Sequence, residues 1–431
     1  METAAINHSR SKIQLGARPR LIVLGILGEI PLAGVVWQVL HYIEGFRRLG
    51  FDVYYVEDTG NWPYDPDQNS VTGDCTYAVN FIGQLMSAYG WSERWAYRLG
   101  AQGGRIFGLS ESQLTQLFEQ ADILVNVTGS TVLRPEHLQV PIRVYLETDP
   151  VLPQIEIAKG NQFYIDLLNA HTHHFTYGEN LGAPDCNVPV GNITYRATRQ
   201  PIVLDWWASS TLSTEVSSRS DRCFTTIANW RQSGKDLEWN GETYTWSKHH
   251  QFLKFLDLPG RTSQPLELAL AVQERWEEGE KTWVPQHEND VEAIRLLTTN
   301  GWRITNGLRL STNIFSYRDY IVGSRGEFTV AKDQYARLRS GWFSDRSACY
   351  LAAGNPVVTQ DTGFGNFIPT GEGLFAFETV DDILAGFETI NSDYERHSRA
   401  ARSLAEEYLS AETVLARLLN DVGLERVALA S

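Results

Sequence analysis

Ser344, Asp345, Arg346 and Ser347 open a short, mostly apolar run that closes at Gly354 and Pro356. Serine is a favoured helix N-cap, so a helix is expected from 345 to about 353. Gly354 can end it in the left-handed conformation, and Pro356 forbids its continuation. Val357 and Val358 read as a buried strand that empties into Gln360, Asp361, Thr362 and Gly363. A helix N-terminus offers unpaired N–H groups and a positive dipole end. Beside a glycine loop at strand carboxyl ends, that chemistry suits a phosphate-bearing ligand. Arg346, Lys332 and Arg325 are the cations placed to add charge to it. Gly326 and Gly341 would let backbone approach a ligand.

The stretch GEFTVAKDQYARLRSGWFSDRSACYLAAGNPVVTQDTGF, residues 326–364, also resembles the donor-site segment of GT-B glycosyltransferases. It is similar to a subgroup of bacterial glycosyltransferase-like proteins that includes spore-maturation proteins. The specific resemblance covers about residues 320–410, and a looser GT-B layout covers most of the chain. The resemblance implies two Rossmann-like α/β domains facing a cleft, with C-terminal helices crossing back to the first domain. It also implies a nucleotide-sugar donor held by the second domain and an unknown acceptor held against the first. One departure stands out. Many retaining members carry two glutamates eight positions apart, and here those positions are Trp342 and Tyr350. That leaves Asp345 or Asp361 for the ribose contact and leaves inversion or retention open.

Other candidates lie at strand ends and in loops. Gly28 and Glu29 sit in the loop 25–34, which lacks the GxGxxG spacing; in the family the matching loop faces the donor or acceptor. Arg231 and Lys235 follow the expected strand 223–228, where a loop touches the donor diphosphate in the GT-B layout. Lys248 joins the donor group, ahead of His249 and His250. Transfer with inversion needs a base for the acceptor hydroxyl. Glu57, Asp58, Glu147, Asp149 and Glu179 fall at strand ends, and Asp58, then Asp149, are the expected catalytic pair. His171, His173 and His174 lack a companion cysteine. No metal site and no cofactor besides the donor are expected.

An alternating α/β pattern must position these residues. Strands are expected at 20–24, 52–56, 122–127, 142–147 and 174–177, then at 223–228, 302–305, 319–322, 357–359 and 374–377. Helices are expected at 35–49, 77–89, 110–120, 163–170, 248–256, 266–277, 291–299, 381–390, 392–408 and 411–422. The polar stretch 189–220 reads as the connection between a domain at 1–205 and one at 206–431.

The chain has 431 residues, 42% of them hydrophobic, and a formal net charge of −15 from 37 basic and 52 acidic residues. That balance argues against nonspecific binding to nucleic acid or an anionic membrane. The run 21–40 holds Gly25, Gly28, Glu29, Pro31 and Gly34, so it reads as strand, loop and helix rather than a membrane span. Four scattered cysteines without a CxxC pair suggest free thiols in a reducing, cytoplasmic setting. The sequons at Asn126 and Asn192 read as chance matches, and the thirteen tryptophans mainly as core. A nucleotide-sugar epimerase of the same architecture and a non-catalytic sugar- or nucleotide-binding protein are the rival readings.

Overall fold

A computed structural model describes residues 18–100, 104–208, 222–232, 234–279 and 281–424. Two parallel sheets organise it. The first takes β1 (Arg20–Leu24), β2 (Asp52–Glu57), β3 (Trp95–Arg98), β4 (Ile106–Gly108), β5 (Ile123–Val127), β6 (Ile142–Glu147), β7 (His173–Thr176) and β8 (Tyr195–Ala197). Their order is β8-β7-β6-β5-β1-β2-β3-β4, and only the β3–β4 pair is antiparallel. The second takes β9 (Phe224–Ala228), β10 (Leu266–Leu270), β11 (Arg303–Asn306), β12 (Gly326–Thr329), β13 (Val357–Gln360) and β14 (Leu374–Phe377). Their order is β11-β10-β9-β12-β13-β14, parallel throughout. The near-continuous apolar runs of β1 and β5 fit strands covered on both faces.

Five helices matter for the site: α1 (Ala33–Arg48), α2 (Gln162–Asn169), α3 (Ile314–Gly323), α4 (Asp345–Ala352) and α5 (Ala411–Asp421). As expected, the chain's end returns to the first domain. Ile202 N–H donates to the Leu409 carbonyl at 2.7 Å, and Ala411 N–H to the Ile202 carbonyl at 2.9 Å. Helix α5 then lies on α1, where a side chain at Gly45 would meet Leu415 at 2.5 Å. One apolar cluster runs from Leu21 and Val23 through Tyr317 and Ile321 to Tyr350 and Leu415, so the two sheets share a core. Trp37 fixes the seam by donating from Nε1 to the Ile314 carbonyl at 3.0 Å.

Two expected elements are different. Residues 266–277, expected as a helix, form β10 and the first strand of a hairpin, Glu274–Glu277 with Thr282–Pro285. Residues 319–322, expected as a strand, belong to α3, which the Asn313 side chain caps by accepting from Phe315 and Ser316 N–H. Of the expected connection at 189–220, residues 189–208 are described and include β8, the edge strand of the first sheet, while 209–220 lie outside the described residues, as do 1–17. Asn126 is fully buried, which closes its sequon to modification. No helix among the described residues is long and apolar enough to cross a membrane.

Candidate functional site between the two domains

In each sheet the strand order reverses beside the first strand, between β1 and β5 and between β9 and β12. Open α/β sheets bind ligands outside strand carboxyl ends at such reversals. Here both reversals open onto one interdomain cleft of about 920 Å³. A smaller cavity of about 460 Å³, near Arg20, Tyr54 and Gln113, lies on the first domain's outer side.

The second domain supplies the cleft's positive charge: Lys235, Lys248, Lys332 and Arg346. Trp246 gathers two of them, with Lys332 Nζ 3.1 Å and Lys235 Nζ 4.7 Å from its ring centre. Lys248 has no carboxylate within ion-pair distance among the described residues. Its ammonium lies 5.9 Å from the Trp342 ring centre. Burial, and then the nearby Arg346 charge, pull Lys248 well below the ordinary lysine range. Arg346 is anchored inward: Nε donates to Glu327 Oε1 at 2.6 Å, Nη1 to the Ile227 carbonyl at 2.7 Å and Nη2 to Thr329 Oγ1 at 3.0 Å. Like charges held together with few counter-charges make a site that gains from an arriving anion.

Carboxyls face this cluster. Asp149 at the end of β6 accepts from Lys332 Nζ at 2.9 Å and from the Tyr335 hydroxyl at 2.5 Å, bridging the cleft. Burial pushes its carboxyl up, but Lys332 and Tyr335 outweigh that and hold it below the ordinary value. Lys332 is also lowered, because burial in a crowd of cations exceeds what Asp149 returns. Glu147 is fully buried, accepts from Thr176 and Gln154, and is pushed up to about 8, chiefly by burial. Asp345, in the first turn of α4 and hydrogen-bonded to Gln38, is pushed up to about 7 for the same reason. At neutral pH, Asp149 is therefore ionised, Glu147 is mostly protonated and Asp345 is poised between the two forms.

Of the residues expected from sequence, Glu29, Glu147, Asp149, Lys235, Lys248, Lys332, Ser344, Asp345 and Arg346 line the cleft. The others lie elsewhere. Gly28 and Glu29 N–H both donate to the Glu57 carboxylate at 2.7 Å, so their amides are occupied within the first domain. Arg325 sits at the opposite end of β12, stacked on Tyr394 and bonded to Asn391. Arg231 is exposed outside the cleft lining. Asp361 pairs with Arg339 at 2.9 Å, Thr362 donates to the Trp342 carbonyl at 2.6 Å, and Gly363 packs on Asn180. That glycine loop braces the domain seam instead of lining the cleft. Ser347 is fully buried. Tyr350 is buried too, its hydroxyl 2.6 Å from Thr225 Oγ1.

Asp58, the first choice for a base, is corrected. It is fully buried, paired with Arg98 at 3.0 Å and with Arg134, and His137 Nε2 lies 3.3 Å away. Asp58, Glu136 and His137 are spaced like metal ligands, but Arg98 and Arg134 already supply the neutralising charge. We expect Asp58→Asn to cost about 3 kcal/mol of stability, as loss of one partner in a buried ion pair does. Denaturant unfolding measures this, and ligand binding at the cleft should be unchanged. The histidine cluster is also structural: His171 Nδ1–H donates to the Leu167 carbonyl at 2.8 Å while Nε2 accepts from Asn126 at 3.2 Å. Residues missed from sequence are Trp246, Tyr335, Gln38 and Glu327; Tyr335 and Gln38 meet Asp149 and Asp345 from far away along the chain, whereas Glu327 meets Arg346 across 19 residues.

No protein-family model matches the chain, and no curated protein matches it in sequence. Solved structures do match in fold. An alpha-glucosyltransferase in complex with UDP and a 13-mer DNA is 12% identical, with TM-score 0.53 over 94% of this chain and 100% of that one. Anabaena HepE in complex with UDP and glucose is 12% identical, with TM-score 0.53 over 94% of this chain and 99% of that one. A glycosyltransferase from Rickettsia africae is 9% identical, with TM-score 0.54 over 94% of this chain and 98% of that one. Two parallel-sheet domains around a cleft, a returning C-terminal helix and these full-length matches together make this a GT-B fold.

Proposed function

We propose that the protein is a glycosyltransferase that takes its sugar from a nucleoside diphosphate sugar without a metal ion. The observation that carries this reading is the cluster of Lys235, Lys248, Lys332 and Arg346 at the second sheet's reversal point. A diphosphate supplies the negative charge that this cluster lacks. UDP is the first nucleotide to test, since neighbours of this fold are in complex with it. In the reaction, an acceptor hydroxyl oxygen bonds to the anomeric carbon as the bond to the β-phosphate oxygen breaks. The diphosphate takes the electron pair against the cations, and Asp149 takes the hydroxyl proton. No cofactor besides the donor is needed. The resemblance of residues 320–410 to the spore-maturation subgroup supports a bacterial, cytoplasmic setting, and the four free cysteines fit it.

UDP is expected to bind in chelator, with heat measured by titration calorimetry. Binding that appears only with magnesium or manganese overturns the metal-free reading. Lys248→Met should weaken UDP by about 1.5–3 kcal/mol, the scale of a hydrogen bond to a charged group. Because burial and the Arg346 charge hold Lys248 low in the free protein, a bound phosphate should raise it. Affinity should therefore rise as pH falls, with proton uptake visible across buffers of different ionisation heat.

A further inference from the structure

Charge is segregated across the cleft. Its four cations come from the second domain, and among the described residues no lysine or arginine of the first domain lines it. His41, held near 3 mainly by burial, is neutral. Asp149 faces the cleft as an anion, and Glu147 keeps its proton until pH about 8. The first-domain wall is instead apolar and hydroxyl-bearing. Phe163, on α2, is 56% exposed and lines it together with Tyr164, Leu167 and Val132.

The loop after β5 adds the polar groups. Thr128 (φ 66°) and Gly129 (φ 62°) both adopt the left-handed conformation, which is rare for threonine. A side chain at Gly129 would lie 2.3 Å from the Tyr145 ring. The turn is clamped from below: Asn126 Nδ2 donates to the Thr131 carbonyl at 2.8 Å, and Oδ1 accepts from Thr131 N–H at 3.2 Å. Thr128 Oγ1 and Ser130 Oγ, both on cleft-lining residues, have no hydrogen-bond partner although both atoms are buried. Buried hydroxyls ordinarily find a partner; three on this strained turn do not, Thr131 Oγ1 being the third, and the two on cleft-lining residues mark a place for ligand hydroxyls.

We propose that this wall is the acceptor chamber, and that it takes an uncharged molecule with an apolar ring face and free hydroxyls, of the aryl glycoside or phenolic type. The aromatic and aliphatic surface around Phe163 receives the ring, and Thr128 and Ser130 hold its hydroxyls. Phosphorylated acceptors and DNA are disfavoured, because among the described residues they meet no first-domain cation and face Asp149. The assignment as acceptor rests on the glycosyltransferase reading, whereas the ligand chemistry rests on the wall itself.

Saturation-transfer NMR on the donor-free full chain tests it, with 4-nitrophenyl β-D-glucopyranoside, glucose 6-phosphate and a 13-mer DNA duplex as probes. The aryl glucoside should bind at least tenfold more tightly than glucose 6-phosphate. Phe163→Ala should weaken it about tenfold and Ser130→Ala about threefold, with melting temperature and UDP affinity unchanged. Phe163 is exposed, so its variant should fold. Phe163→Lys should shift preference toward glucose 6-phosphate. Tighter binding of either anionic probe, or no transfer to the aryl glucoside, overturns the proposal. Aryl glucoside binding in a protein that ignores UDP upholds the chamber and overturns only the donor reading.

Discussion

Asp149→Asn should lower turnover by about two to four orders of magnitude, the range of general base catalysis, without weakening UDP. Of the four cleft carboxyls, Glu29 is held by the Asn61 side-chain amide at 3.2 Å, and the environments of the other three separate them. A base must be ionised when the acceptor arrives. Glu147 carries its proton to about pH 8 and is enclosed by Thr176 and Gln154. Asp345 titrates near 7 but lies in the first turn of α4, on the cation side. Asp149 is held ionised, on the first domain, at the carboxyl end of β6. Its bond to Lys332 makes it a weak base in the free protein. A donor phosphate that draws Lys332 away would raise its basicity as the substrate docks. The same contact predicts an asymmetry: removing the Asp149 charge frees Lys332, so UDP should bind equally or more tightly. Single-turnover rates with UDP-glucose, beside calorimetric UDP affinity, measure both. Full turnover in Asp149→Asn would transfer the role to Asp345.

Much of the scaffold could be read from residues alone because it obeys simple periodicities. RLIVL and DVYYVE are short apolar runs bounded by loops, and each became a strand of the first sheet. Helix α4 began at Asp345, with Ser344 at the N-cap position but its side chain making no cap hydrogen bond, and it ended before Gly354 in its left-handed conformation. LELAL was misread because leucine, alanine and glutamate favour helix, yet its Leu266, Leu268 and Leu270 alternate and are buried in the sheet. Tertiary packing overrode propensity there. DYIV looked like a strand because its Asn313 cap lies six residues upstream. The cations at 235, 248, 332 and 346 were recognisable as charge near expected loops. Their partners were not: Lys332 meets Asp149 across 183 residues of chain, and a single sequence carries no record of such a pairing. The same gap misplaced Asp58, which has the position of a cleft acid but the neighbours of a core ion pair.

Arg346→Ala should damage both fold and donor binding, and a second variant should separate the two. From sequence, an arginine in a first helical turn reads as a surface cation whose loss the fold survives. In the structure it neutralises Glu327, which has no exposure, and it also holds the Ile227 carbonyl and Thr329. Alanine leaves Glu327 buried without its counter-charge, at a cost of about 3–5 kcal/mol. Denaturant unfolding should show that loss, and surviving folded protein should bind UDP about 1.5–3 kcal/mol more weakly. A paired change, Glu327→Gln with Arg346→Met, removes both charges and keeps the volume. Exchanging a buried ion pair for neutral groups is often close to neutral for stability. The double variant should therefore regain most of the lost stability but not the UDP affinity, because the anion still lacks its guanidinium. If affinity returns together with stability, Arg346 acts only as a brace for β12, and the anion is held by the three lysines.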